Sequence, residues 1–155
     1  MIAASPVHPT RVLPPFYFLL SAGLMVVLDR WAPGVRWLTR PLTLTGAVPF
    51  GAGLGFMVAT MRTFRRHQTT IKPFQASATL VTGGPFRVSR NPIYLGMTLM
   101  LLGIALFLGS ATPLVLVVLF ALWIQARFIS NEEAHLTEQF GDGYRRYQAS
   151  VRRWV

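Results

Sequence analysis

The chain has 155 residues, enough for one domain, of which 52% are hydrophobic and only 13% charged, with a formal net charge of +10. So low a charged fraction is unusual for a soluble protein of this size and points to a membrane protein. Cysteine is absent, which excludes disulfides, thiolate metal sites and a cysteine nucleophile; the isolated His8, His67 and His135 form no metal-ligand spacing, so no metal is expected.

Residues 1–12 read as a lead-in. The apolar run 13–28 ends at Asp29-Arg30-Trp31, which suits a membrane interface, and no small-residue cleavage pattern follows it, so it reads as a first span and not as a cleaved leader. A short loop, 29–40, carries Trp31 and Trp37, residues suited to the headgroup layer. The second run, 41–61, lies between Arg40 and Arg62 and contains Gly51-Ala52-Gly53-Leu54-Gly55-Phe56. No strand precedes these glycines and they open no helix, so a dinucleotide loop is excluded by context. Gly51 and Gly55, four apart, are expected to let two helices approach closely.

The segment 62–90 is long for a connector and contains a turn at Thr82-Gly83-Gly84-Pro85. Between Arg90 and Arg127 no residue is charged, and Gly109-Ser110-Ala111-Thr112-Pro113 breaks the run into two spans, a helical hairpin. Phe128, Leu136 and Phe140 continue at helical spacing up to Gly141-Asp142-Gly143. Tyr144, Tyr147 and Val151 then predict a short amphipathic helix on the membrane surface, with Arg145, Arg146, Arg152 and Arg153 on its polar flank and Trp154 after it.

The expected fold is therefore an all-α membrane protein with about four transmembrane helices and a cytoplasmic C-terminal helical cap. With four spans, twelve of the fifteen basic residues fall on the side of the termini and of the segment 62–90, against Arg30, Arg36 and Arg40 on the other. That bias makes both termini cytoplasmic and accounts for most arginines as topology signals, not as a nucleic-acid surface.

Asn91 and Pro92 suit an N-cap and first helical position, which would explain the Asn-Pro step without any function. Glu132 and Glu133 could likewise be two solvated carboxylates. However, only four acids lie on the basic side, and two of them are adjacent just beyond the fourth span. The hairpin returns them beside the start of the third, so Arg90, Asn91, Pro92, Ile93 and Tyr94 can face Glu132 and Glu133 across an interfacial cleft.

Residues 78–96, ATLVTGGPFRVSRNPIYLG, with 131–155, NEEAHLTEQFGDGYRRYQASVRRWV, resemble the isoprenylcysteine carboxyl methyltransferase and phospholipid methyltransferase family of integral-membrane enzymes. In that family a pattern Leu-Val-x-x-Gly-x-Tyr-x-x-x-Arg-His-Pro-x-Tyr-x-Gly precedes a span, and a Glu-Glu pair with Phe-Gly-x-x-Tyr follows the next. The resemblance covers about residues 67–155, which would form the cofactor-binding core of a single domain 1–155, with 1–66 as N-terminal spans.

The resemblance implies S-adenosyl-L-methionine as cofactor, held by Ala78, Thr79, Leu80, Val81, Phe86, Asn91, Pro92, Ile93, Tyr94 and Glu132; by their chemistry Arg90 can meet the cofactor's carboxylate, and Glu132 or Glu133 its ribose hydroxyls or ammonium. It implies transfer of a methyl group to a lipophilic or membrane-associated acceptor, isoprenylcysteine carboxylate-like, reached through the lipid or along the interface. Phospholipid amine or small-thiol methylation, or a non-catalytic scaffold of the same fold, are the alternatives. Two positions depart from the pattern: Phe86 replaces the tyrosine, and Asn91 replaces the histidine and so removes a titratable ring. Arg127 is the nearest match to an arginine that meets the acceptor's carboxylate in the isoprenylcysteine branch. The cofactor site is expected on the cytoplasmic face, with membrane lipid as a further partner.

Overall fold

The computed structural model describes residues 13–66 and 80–155. Helix α1 is Pro14–Trp31. A 3-10 turn, Leu42–Gly46, leads into α2, Ala47–Arg66, which starts later than the apolar run 41–61 and ends about one turn beyond it. Helix α3 is Pro92–Leu108 and α4 is Ala111–Ile124. A π-helical turn, Gln125–Ile129, joins α4 to α5, Ser130–Phe140, and α6, Asp142–Ser150, completes the chain. Among the described residues no strand forms beyond one isolated bridge between Arg36 and Ser110.

Sequence chemistry sets the helix ends. Pro14 and Pro92 occupy first-turn positions, where a missing N–H costs nothing. Gly109 ends α3 in the left-handed region at φ 75°, a conformation that favours glycine. The loop after α1 clasps this turn: the N–H groups of Trp37 and Leu38 donate to Gly109 O, and that of Ala111 donates to Val35 O. Ser110 Oγ donates to Asp29 Oδ1 at 2.5 Å, so the buried carboxylate at the end of α1 is tied to the hairpin turn.

Helix α3 is central, packed against α2, α4 and α1. The core gathers Met25, Met97, Leu101, Ala105, Phe120, Ile124 and Phe128. Around it the outward faces are as apolar as the inside: Phe16, Leu19, Leu20, Val26 and Val27 of α1, and Val115, Val118, Leu119 and Leu122 of α4, are all exposed. Such continuous apolar surface fits lipid better than water. Two helices are long and apolar enough to cross a membrane, Leu42–Arg66 and Ala111–Phe140, of 25 and 30 residues; α1 has 18 residues, and the apolar α3 has 17.

The expectation for Gly51 and Gly55 is corrected. A Cβ at either would meet nothing within 4 Å. The close approach of α2 to α3 is made instead by Gly53 against Gly96 and by the preceding Gly46 against Gly103. These pairs are seven apart on each antiparallel segment, two helical turns, so both fall on one facing stripe.

Candidate functional site

Helix Ala111–Phe140 has 30 residues, about 45 Å, which outruns a hydrocarbon core of about 30 Å by roughly ten residues. Glu132 and Glu133 lie in that extension, just past the π-helical turn. Consecutive helical residues point about 100° apart, and the two carboxylates meet opposite fates.

Glu133, 6% exposed, is fully engaged. Its Oε1 accepts from Arg90 Nε and Nη2 at 3.2 and 2.9 Å, and Arg153 donates through Nε to both oxygens and through Nη2 to Oε2, the last at 2.6 Å. Burial alone would raise its pKa, but the hydrogen bonds and charges of Arg153 and Arg90 outweigh it and hold the carboxyl below its usual range.

Glu132 is half-buried. Its Oε1 accepts the Tyr94 hydroxyl at 2.6 Å, the length of a charge-assisted bond. Among the described residues its Oε2 accepts none. Burial pushes this carboxyl up to about 7, the Tyr94 bond works against that, and the Glu133 charge adds to it. Beside the pair, the Tyr94 ring lies 6.4 Å from Phe128, which also meets Tyr17 at 5.8 Å, so the three rings form an aromatic cluster.

Arg90 is not a free cation. Besides Glu133, its Nη1 donates to Gln148 O and Val151 O, at 3.0 and 3.1 Å, so four of its five N–H groups are spent within the protein. Asn91 is the N-cap residue of α3, but its side chain makes no capping bond. It is buried, and Nδ2 donates instead to Arg153 O at 3.1 Å. Pro92 and Tyr94 are buried, while Ile93, Leu80, Val81 and Phe86 are half-buried. Phe86 lies in the 3-10 turn Gly84–Arg87, its ring edge-on to Phe64 at 5.4 Å, and its carbonyl accepts the Tyr147 hydroxyl at 2.6 Å. Ala78 and Thr79 lie outside the described residues. Arg127 is exposed, stacked over Trp123 at 5.7 Å, and forms no bond to Tyr94 or to either glutamate.

The C-terminal segment is where sequence reasoning fell short. Read as a surface helix with a basic flank, it instead folds back over the start of α3. Arg90 N–H donates to Arg152 O, Ser89 Oγ to Arg153 O, and Trp154 Nε1 to Gln125 Oε1. Tyr144 and Tyr147 are buried. Arg153 and Ser89 were therefore missed; the local signal was Tyr144 and Tyr147 at three-residue spacing, which marks a buried face without naming its partner. Among the described residues no cluster of three metal-ligating side chains occurs.

Residues 42–143 match the phospholipid methyltransferase family. The chain belongs to that family. An uncharacterised protein of Haemophilus influenzae is 43% identical over 63 residues, 41% of this chain and all of that one. The Protein-S-isoprenylcysteine O-methyltransferase of Schizosaccharomyces pombe is 35% identical over 72 residues, 46% of this chain but only 30% of the yeast protein. No solved structure matches. Family membership and the yeast relative support a membrane methyltransferase.

Proposed function

We propose that the protein transfers a methyl group from S-adenosyl-L-methionine to a lipophilic acceptor of the isoprenylcysteine-carboxylate kind, at the cytoplasmic membrane interface. The carrying observation is the divided glutamate pair: Glu133 is saturated by two arginines, whereas Glu132 beside it keeps a carboxylate oxygen with no partner among the described residues. A cofactor with an ammonium and two ribose hydroxyls needs such an acceptor, and its adenine suits the apolar Leu80, Val81, Phe86, Pro92 and Ile93, so the residues present fit it.

When bound, the cofactor supplies an electrophilic methyl group on a sulfonium. Glu132 and Tyr94 hold donor groups of the ligand. Arg90, Glu133 and Asn91 act one layer back, fixing the loop that presents them, and Ala78 and Thr79 are retained as contacts from the family pattern. A carboxylate acceptor arrives ionised and needs no base, so alignment of the two reactants can supply much of the acceleration. In this reading Arg127, exposed about one turn before Glu132, meets an anionic group of the acceptor approaching along the interface. Helices α1 to α4 are the four spans in this reading, with both termini cytoplasmic, supported by the apolar outer faces and the arginine bias.

Calorimetric titration of the detergent-solubilised chain with S-adenosylhomocysteine tests this. Binding is expected, abolished by Glu132→Ala and retained by Glu138→Ala. Equal effects of the two substitutions, or no binding by well-folded protein, would sink the site.

A second reading, an amine acceptor such as a phospholipid headgroup, is supported by one observation: a carboxyl near 7 can take a proton at neutral pH. Methyl groups transferred from labelled cofactor to a membrane extract decide between them. Label released by alkali as volatile methanol is a methyl ester on a carboxylate; label that stays non-volatile after alkali is bound to nitrogen or sulfur.

A further inference from the structure

At the end of the molecule away from Tyr94 and Glu132, the segment entering α2 and the last turn of α3 line an open cavity of about 300 Å3, at the lower end of the small-molecule range of about 300–1,000 Å3. It is lined by Arg36, Thr39, Arg40 and Thr43, with Leu38 and Phe107 among its apolar walls. Tyr94 and Leu108 stand at opposite ends of α3, about 21 Å apart along its axis, so the cavity is no part of the glutamate site.

Its polar groups are those of an anion site. Only three basic residues occur at this end of the described chain, Arg30, Arg36 and Arg40, and two of them line one cavity. Arg36 is fixed at the rim by long bonds, from Nη2 to Asp29 O and Oδ2, both at 3.4 Å, and from Nη1 to Leu108 O at 3.5 Å. Asp29, the one acid at this end, is already committed to Ser110 and Arg36. Arg40 is exposed and has no hydrogen bond or ion pair among the described residues, so its charge is uncompensated. Thr43 is 8% exposed, yet its hydroxyl bonds to none of them. A buried hydroxyl without a partner is unfavourable unless something in the cavity supplies one. Two guanidinium groups and a buried hydroxyl together match an oxyanion with several acceptor oxygens, a phosphate.

The surroundings select the source of that phosphate. Leu42 and Leu44, the chain neighbours of Thr43, are 56% and 62% exposed, and Val35 and Trp37 beside Arg36 and Val48 at the start of α2 are exposed as well. Acyl chains would cover this surface, whereas a free anion gains nothing from it. We propose that this cavity binds the phosphate headgroup of a membrane phospholipid, in the leaflet opposite the glutamate cleft. The site is independent of the methyl-transfer reading and stands whether or not the far end transfers methyl groups.

The test titrates the full-length protein in neutral detergent with dihexanoylphosphatidylglycerol and follows bound lipid by native mass spectrometry. One saturable lipid is expected. Arg40→Gln should weaken it about tenfold and Thr43→Val about threefold, from loss of one charge-assisted and one neutral hydrogen bond. Arg30→Gln, at the same end but outside the cavity, should leave it unchanged, with helical content by circular dichroism equal in all four proteins. Equal weakening by Arg40→Gln and Arg30→Gln would reduce the effect to general surface charge and overturn the site. Absence of saturable binding would also overturn it. Displacement of the lipid by an equal concentration of inorganic phosphate would overturn the lipid assignment in favour of a free anion.

Discussion

Replacing Glu132 by Gln keeps an oxygen for the Tyr94 hydroxyl and removes a charge that burial penalises. The wild-type carboxyl rises from its ordinary 4.5 to about 7 in the folded protein. A raised carboxyl pKa means that the fold prefers the neutral form. Its stabilising contribution is fully present below about 4.5 and is lost as pH rises through about 7. The ceiling on that loss is about 3 kcal/mol, and partial hydration of a half-buried group lowers the expected figure to about 1–2 kcal/mol. Glu132→Gln is therefore expected to be more stable than wild type by that amount at pH 8 and equal to it at pH 4.

Glu133→Gln should do the reverse. Its folded pKa is held low, so its contribution is present above the ordinary carboxylate range and lost as pH falls through the folded value. Breaking a fully buried pair costs about 3–5 kcal/mol; Arg153 is about one-third exposed and can recover water, so about 2–3 kcal/mol is expected at pH 8. Thermal unfolding followed by circular dichroism in neutral detergent, at pH 4, 6 and 8, separates the two. If both substitutions shift stability in the same direction at pH 8, or if the Glu132→Gln gain persists at pH 4, the division of roles between the glutamates is wrong.

Arg153→Ala leaves the main-chain carbonyl that accepts from Ser89 and Asn91, and leaves Arg90 on Glu133; it should cost about 1–2 kcal/mol. A double-mutant cycle with Glu133→Gln should give a coupling of about 1 kcal/mol or more, and a value below about 0.3 kcal/mol would show the pair to be idle. Tyr94→Phe removes the hydroxyl that stabilises the Glu132 charge. S-adenosylhomocysteine binding should then reach half its maximum at a higher pH than in wild type, and an unchanged midpoint would disconnect Tyr94 from the site. Gly53→Ala places a methyl against the Gly96 carbonyl and 2.9 Å from Met100, so it should destabilise by about 1–3 kcal/mol. Gly51→Ala, on the open face of the same helix, should be neutral or stabilising by up to about 1 kcal/mol; equal melting shifts for the two would refute the assigned interface.

The helices were legible wherever one local signal decided them. Uninterrupted apolar runs marked α1 to α4, Pro92 marked the start of α3, and Gly109 marked its end, because each depends on neighbours within a few residues. The meeting of Arg90 with Glu133 and of Tyr94 with Glu132 was legible too, since a hairpin of two similar helices must bring its ends together. The face of α2 that meets α3 was not. Glycines at 51 and 55 carry the stronger short-range pattern, yet which stripe is buried depends on complementary small residues at 96 and 103, far along the chain from their partners at 53 and 46. The π-helical turn at Gln125–Ile129 left no trace in sequence, having neither Gly nor Pro to mark it.

Arg153 shows why a correct explanation of a residue can hide a second one. As one of twelve basic residues that a four-span topology would put on a single side, it was fully accounted for as a topology signal, and nothing in its neighbours set it apart from Arg145, Arg146 or Arg152. Its distinction is tertiary: it alone of the four reaches Glu133. Its carbonyl meanwhile takes the Asn91 amide. That contact bears on the departure from the family pattern. An amide offers Nδ2–H at every pH, whereas an imidazole in the same place would donate from a nitrogen set by its tautomer and charge. In this chain position 91 therefore serves as a fixed tie between the start of α3 and the C-terminal segment. Glu132, two helices away in sequence but one hydrogen bond from Tyr94, is left as the group in the cleft whose charge can change near neutral pH.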